Sequence, residues 1–191
     1  MPDPGQAAGD RLRLHLMVLG CQAGDERAFT RLFERFGPRT LGYLRGLVGD
    51  DADDVQQEVW LSVYRNVGTL ANPGAFRTWL FQTTRHRALD LLRRRRRESR
   101  LMEETAVDLA VAGEGTGDVE PPVLDRIDLA AVATQLSPGQ REVLLLRYEN
   151  DLSYGEIALV TGRSVGTVKS RLFTAHRRVQ AILDAEAERN R

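Results

Sequence analysis

The sequence predicts an all-α protein built as two small helical domains joined by a flexible acidic linker, the second domain a helix-turn-helix. Three observations carry this. Apolar residues recur at three- and four-residue spacing through most of the 191-residue chain, and no alternation of apolar and polar residues persists long enough for a strand. Charge is segregated although the formal net charge is zero: a basic run from Arg85 to Arg97 is followed by an acidic stretch, and basic residues return from Arg141. Near the C-terminus, two helical patterns are joined by a glycine-containing turn.

In chain order, residues 1–10 read as disordered from their Pro, Gly and Asp content, and helical periodicity begins after them. Ala28, Phe29, Leu32, Phe33 and Phe36 form a buried stripe; Gly37-Pro38 then separates it from a second helix marked by Leu41, Leu44, Leu47 and Val48 and ended by Gly49. Asp51 to Asp54 supply N-terminal carboxylates to a third helix, in which Val55, Val59, Val63 and Val67 make the packed side. A loop with Pro73 spans Gly68 to Gly74, and a fourth helix starts near Ala75 and runs into five consecutive arginines, Arg93 to Arg97. Residues from about 98 to 125 hold Glu103, Glu104, Asp108, Glu114, Asp118 and Glu120 among glycines and Pro121-Pro122. They offer too little apolar surface to offset the entropy of ordering, and so read as a linker.

Leu129, Val132 and Leu136 mark a further helix, and Pro138 opens the next at a first-turn position, with Val143 to Leu146 as its core. Ser153 and Glu156 form a capping box, Gly162 stands where a left-handed residue is needed, and Ser164 caps the last helix. Val168, Leu172, Ala175 and Val179 share one face of that helix, while Ser170, Phe173, Thr174 and Arg177 lie roughly opposite. Hydroxyls, a ring and guanidinium groups are the set that meets base edges, thymine methyls and phosphates; an ordinary helical hairpin is the alternative.

Composition bounds the function. Cys21 is the only cysteine, which excludes an internal disulfide and any multi-cysteine metal site, and a cytoplasmic location is expected. The apolar stretch Leu12 to Leu19 is interrupted by Arg13 and His15, so no signal peptide or membrane insertion is predicted. His15, His86 and His176 are far apart with no matching carboxylate or cysteine spacing; no catalytic residues, metal or cofactor are expected.

On the fourth helix, Phe76, Leu80, Phe81, Thr84, Ala88, Leu91 and Leu92 cover one side, and Trp79, Gln82, Thr83, His86 and Asp90 cluster on the other. Trp79 beside a cationic tail reads either as a stacking platform for an unpaired base or as half-buried core. The arginine tract reads either as a polyanion contact or as a solvated helix end. The start of the third helix, with Asp53, Asp54, Gln57 and Glu58 beside Trp60 and Tyr64, would repel DNA and suit a basic protein partner; a plain solvated face is the alternative.

The blocks GDERAFTRLFERFG, DDVQQEVWLSVYRNV, FRTWLFQTTRHRALDLLRRRRR and LSPGQREVLLLRYENDLSYGEIALVTGRSVGTVKSRLFTAHRRV, in this order and spacing, resemble successive regions of the extracytoplasmic-function sigma factors of the sigma-70 family. The resemblance covers most of residues 24–183. It implies a factor that binds core RNA polymerase and directs it to promoter DNA, with domain boundaries at 24–97 for polymerase binding and -10 opening, 98–125 for the linker and 126–185 for -35 recognition. Residues 1–23 form an N-terminal extension and 186–191 a tail. It assigns Asp53, Asp54, Gln57, Glu58 and Trp60 to core polymerase. Leu70, Ala71, Asn72, Pro73 and Gly74, with Trp79, Arg85, His86 and Arg87, go to the -10 element and its flipped base. Ser164, Thr167, Lys169, Ser170, Arg171, Phe173, Thr174 and Arg177 go to the -35 element. His86 stands where many relatives have Asn, and Thr174 where Arg is frequent. An anti-sigma protein is a common partner in the family. A stand-alone helix-turn-helix repressor is the competing reading, but it gives no reason for the Trp79 helix or the long acidic linker.

Overall fold

The computed structural model describes residues 4–102 and 135–189, which fall into two compact units divided at Arg93 and Arg94. All regular structure among the described residues is helical, as the periodicity predicts.

The first unit opens with α1 (Pro4–Gln22), so residues 4–10, expected to be disordered, are helical. Pro4 occupies the first helical position, where a missing N–H costs nothing, and the later turns of α1 are held by packing on the rest of the unit: Val18 is fully buried, with Leu14, Met17 and Cys21 beside it. Gly24, at φ 82°, turns the chain, and Asp25 Oδ1 accepts from Arg27 N at 2.9 Å to cap α2 (Glu26–Val48). The crossing is close: a Cβ on Gly20 would lie 2.8 Å from that of Ala28.

The expected break at Gly37-Pro38 does not occur. Helix α2 runs through Pro38, although an interior proline costs a helix about 3 kcal/mol. Leu32, Phe36, Tyr43 and Leu44 stay on one buried face, and the carbonyl that Pro38 deprives of an N–H belongs to Glu34, an exposed residue; side chains bond to the carbonyls that follow. Thr40 Oγ1 lies 3.1 Å from Phe36 O and 3.0 Å from Gly37 O, and Gln56 Nε2 donates to Gly37 O at 2.7 Å. Trp60 Nε1 donates to the same Thr40 hydroxyl at 3.3 Å. A Thr40→Val variant keeps the shape but removes the acceptor from a buried indole N–H. It should lower the stability of the first unit by about 1–3 kcal/mol, read as a lower urea midpoint at unchanged m-value.

Gly49, at φ 64°, ends α2, and a short 3-10 turn leads to α3 (Ala52–Asn66). Val55, Val59, Val63 and Val67 are all buried, as their four-residue repeat predicts. Two further 3-10 turns, Val67–Thr69 and Pro73–Ala75, bracket the loop before α4 (Phe76–Met102). Phe76, Leu80 and Ala88 complete the core. Helix α4 continues past the arginine tract, so 98–102, assigned above to the linker, are helical; 103–125 lie outside the described residues.

In the second unit Leu136 is buried and stands in a bend ahead of the next helix; Leu129 and Val132, expected to mark a helix with it, lie outside the described residues. Helix α5 (Pro138–Leu144) opens on a capping box of Ser137 and Gln140 with Pro138 in the first turn. It continues as a π-helical turn, Leu145–Glu149, where buried Asn150 donates Nδ2 to Leu145 O at 2.8 Å. Helix α6 (Tyr154–Thr161) carries the predicted box of Ser153 and Glu156 and ends at Gly162 in the left-handed region. Helix α7 (Val165–Arg189) follows; its Val168, Leu172, Ala175 and Val179 are fully buried against α5 and α6.

Candidate protein and nucleic-acid interfaces

Helix α3 presents one face of mixed character. Asp53 and Asp54 lie in its first turn, where carboxylates complement the helix dipole, and Gln57 and Glu58 are exposed one turn on. Arg45 Nη2 approaches Asp53 Oδ2 at 3.9 Å with both side chains mostly in solvent, a pair that neutralises little. Helical spacing from Asp54 through Gln57 and Glu58 leads to Leu61 and Tyr64, which are 55% and 60% exposed.

Two residues depart from expectation here. Trp60, assigned to the partner surface, is 5% exposed; its ring is enclosed edge-on by Phe33 and Phe29, at 5.0 and 5.9 Å between centroids, and its N–H is spent on Thr40. Phe33, expected in the buried stripe, is 45% exposed, because Leu32 and Phe36 already fill the inner face and Trp60 occupies the space beneath. The result is an apolar groove lined by Phe29, Phe33, Trp60, Leu61 and Tyr64 with Gln56 and Gln57, bordering carboxylates. Apolar side chains beside negative charge fit a protein surface and oppose a phosphate backbone. Leu61 was not anticipated; its signal is an apolar residue on the acidic stripe.

The loop before α4 is exposed at Ala71, Asn72 and Gly74 and partly covered at Leu70 and Pro73. Asn72 Oδ1 accepts from Gly74 N at 2.9 Å, shaping the turn into the helix. From α1, Gln22 Nε2 donates to Val67 O at 3.1 Å and to Leu70 O at 2.8 Å, a contact the sequence reasoning missed because it joins residues far apart in the chain. Trp79 is half-buried, packed on the core with its ring 6.0 Å from that of Phe76, so part of the ring faces outward. Helical spacing aligns Trp79 with Gln82, Thr83 and His86; His86 and Arg87 are exposed and Arg85 partly so. The ring and the polar groups of Gln82, Thr83 and His86 follow one another along a strip that begins next to the loop, with Asp90 further along it and Arg85 and Arg87 flanking it on either side, roughly 120° and 80° away.

In the second unit, Ser164 Oγ accepts from Thr167 N at 3.1 Å and sits 2.9 Å from Thr167 Oγ1, fixing the start of α7. Thr174 and Arg177 are exposed, and Lys169, Ser170 and Phe173 are partly exposed. Thr174 donates its hydroxyl to Ser170 O at 2.9 Å, keeping its lone pairs outward. Arg171 runs differently: its guanidinium lies over Gly139 at the start of α5, where a Cβ would come within 3.1 Å of Nη1. The outward strip of α7 is therefore Thr174, Ser170, Phe173 and Arg177, with Lys169 at its flank.

The inner side of the same helix carries a titratable group. His176 is 1% exposed, with Nε2 2.6 Å from the Tyr148 hydroxyl. Burial holds its pKa below the ordinary 6.5, so the folded unit keeps the ring neutral while the unfolded chain takes up a proton first. The contribution of His176 is thus complete above the unfolded value and declines as pH falls through it toward the folded one. Glu149 works in the opposite sense, its carboxyl raised by burial. Denaturation of native protein and a His176→Gln variant at pH 8 and 5.5 should show a smaller loss of stability on acidification in the variant. At Cys21, burial and then the Asp25 carboxylate raise the thiol's pKa, which disfavours the thiolate.

Comparison with known proteins addresses the family of the chain. The family model of sigma-70 region 2 matches residues 32–98, and that of sigma-70 region 4 matches residues 126–179. The chain is 34% identical over 183 residues to the RNA polymerase sigma factor CnrH of Cupriavidus metallidurans, covering 90% of this chain and 96% of that protein. It is 30% identical over 182 residues to the ECF RNA polymerase sigma-E factor of Haemophilus influenzae, covering 90% and 95%. The solved structure of CnrH in complex with the cytosolic domain of CnrY matches with a TM-score of 0.63 at 28% identity, over 91% of this chain and 98% of that one.

Proposed function

Because the chain belongs to the extracytoplasmic-function sigma factors of the sigma-70 family, we propose a division of its promoter-directing work among the surfaces just described. The protein is an RNA polymerase sigma factor, and members of this family are initiation factors rather than enzymes. In this reading the chain itself has no catalytic residue and acts in the cytoplasm by binding energy alone; no helix among the described residues is long and apolar enough to cross a membrane.

Residues 24–97 form the domain that holds core polymerase and opens the -10 element, 98–125 connect, and 126–185 read the -35 element, with 1–23 an N-terminal extension and 186–191 a tail. Asp53, Asp54, Gln57 and Glu58 meet a basic surface of the polymerase, and Leu61, Tyr64 and Phe33 add apolar contact beside them. Trp60 serves as the floor of that surface. Leu70 to Gly74 with Trp79, Arg85, His86 and Arg87 take up the displaced strand, the exposed part of the Trp79 ring stacking on a base and the cations meeting phosphate. Ser164, Thr167, Lys169, Ser170, Phe173, Thr174 and Arg177 enter the major groove, while Arg171 contributes from its position over α5. The observation that carries the reading is the coexistence, in the first unit, of an acidic-apolar face and a ring-bearing strip flanked by cations: one rejects DNA and the other attracts it. A repressor needs only α7.

CnrH was solved with the cytosolic domain of CnrY bound, which supports a protein partner for this chain also. In this family that partner is an anti-sigma protein, and it would cover the polymerase-binding or DNA-binding faces. The test of the whole reading is run-off transcription from a genomic fragment library by core RNA polymerase with and without the protein. Protein-dependent start sites sharing two upstream motifs are expected. An unchanged set of starts, with retained duplex binding in the absence of polymerase, would establish the repressor instead.

A further inference from the structure

We propose that Gln22, at the C-terminal end of α1, is a positioning residue that pre-sets the loop of residues 70–74 for capture of the displaced base; this rests on the reading of that loop as the -10 contact. Both hydrogens of the Gln22 amide are used, one on Val67 O at 3.1 Å and one on Leu70 O at 2.8 Å. These two carbonyls stand at the ends of one feature, since Leu70 N closes the Val67–Thr69 turn back onto Val67 O at 3.2 Å. A single side chain therefore clamps both ends of the turn from which the loop departs, across 45 and 48 residues of sequence.

The clamp adds to packing that holds only the two ends of the loop: Leu70 rests on the core, and the Pro73–Ala75 turn lies against α1. Gly68, Thr69, Ala71, Asn72 and Gly74 are exposed, and the side-chain bonds of Thr69 and Asn72 are local, to Asn66 O and Gly74 N. An exposed segment with few buried contacts samples many conformations, and each must be given up when a base is taken into a pocket. Gln22 removes part of that cost before DNA arrives. It is itself well held: α1 packs against both 3-10 turns and α2, and Asp25 N donates to Gly20 O at 2.9 Å to close the end of the helix. The N-terminal segment thereby gains a role that a match starting at residue 32 does not assign to it.

Gln22→Glu preserves size but replaces the donors with an acceptor facing two carbonyls; Gln22→Ala removes the group. Each is assembled, as full-length chain, with core RNA polymerase on promoter DNA taken from the run-off library. Three quantities are measured: polymerase affinity, the rate of strand opening by permanganate reactivity, and the ratio of opening on the native -10 element to opening on one with the captured base changed. The expected result is native polymerase affinity, a thermal midpoint lowered by only a few degrees through the two lost hydrogen bonds, opening slowed about tenfold, and a discrimination ratio reduced severalfold. Native opening and discrimination in both variants would overturn the proposal. So would a parallel loss of midpoint, affinity and opening with the ratio intact, which is what a merely structural brace predicts. Leu70→Ala and Asn72→Ala are run alongside. If they leave opening and discrimination unchanged, the loop reading itself fails and the proposal falls with it; if they act while both Gln22 variants match native, the proposal alone falls.

Discussion

Replacing Asp54 and Glu58 together by Arg should leave the first unit folded and all but abolish its binding to core RNA polymerase. Both carboxylates are exposed, so neither supports the core; the intramolecular cost is the lost dipole complement of Asp54, about 0.3–1 kcal/mol. In the proposed interface each reversal would remove an attractive pair and add a like-charge contact, and truncating one member of a desolvated pair already costs about 2–5 kcal/mol. Two reversals thus predict a loss of roughly 4 kcal/mol or more, on the order of 1,000-fold in Kd. Fluorescence anisotropy of labelled protein titrated with core enzyme reads this directly, with circular dichroism as the check on folding. Affinity within threefold of native would remove this face from the polymerase contact.

The second large effect is expected at Leu172, which is fully buried in α7 while its neighbour Phe173 stands on the outward strip. Leu172→Ala removes methyl groups between α7 and the helices packed on it, and the small unit has little capacity to close around the gap. A cost of about 2–5 kcal/mol is expected, a large fraction of the roughly 5–15 kcal/mol that stabilises an ordinary domain. The -35-type duplex binding should then disappear at 37 °C, whereas polymerase binding through α3 should survive because the two units have separate cores. Leu172→Met, which conserves volume, should cost less than about 1.5 kcal/mol. Equal loss from both variants would mean that packing at this position is not what orients the helix.

Legibility from sequence followed the range of the interaction. Features decided within a turn or two of helix were readable: the box of Ser153 and Glu156, the left-handed Gly162, the cap at Ser164 and the buried repeat Val55, Val59, Val63, Val67. Features decided by contacts across the fold were not. Pro38 signals a break by local rules and is overridden because the helix keeps one face buried on both sides of it, with Gln56 and Trp60 tying Gly37 and Thr40 to α3. Residues 4–10 have a composition of disorder, yet they continue a helix whose later turns are anchored by Val18. Trp60 and Phe33 exchanged roles, since a helical wheel places residues on a face but not at a depth. On α7 the wheel placed Ser170, Phe173, Thr174 and Arg177 on the outward side but did not show that Arg171 turns over Gly139 or that His176 is buried; the clamp from Gln22 was invisible, having no local pattern at all.

Helix α4 runs unbroken from Phe76 to Met102, and Arg93 to Arg97 lie within it, all exposed. At about 100° per residue, five successive positions sweep roughly 400°, more than a full circuit of the axis. The guanidinium groups therefore form a collar instead of a stripe, with positive charge on every side of the axis, although Asp90 pairs with Arg93 at 3.0 Å on one of them. Such a device can raise the frequency of encounter and hold an opened strand nearby, but it carries no register. On the proposed reading, alignment of the strand then falls to the Trp79 end of the same helix, about 20 Å away, so that attraction and selection are assigned to different turns.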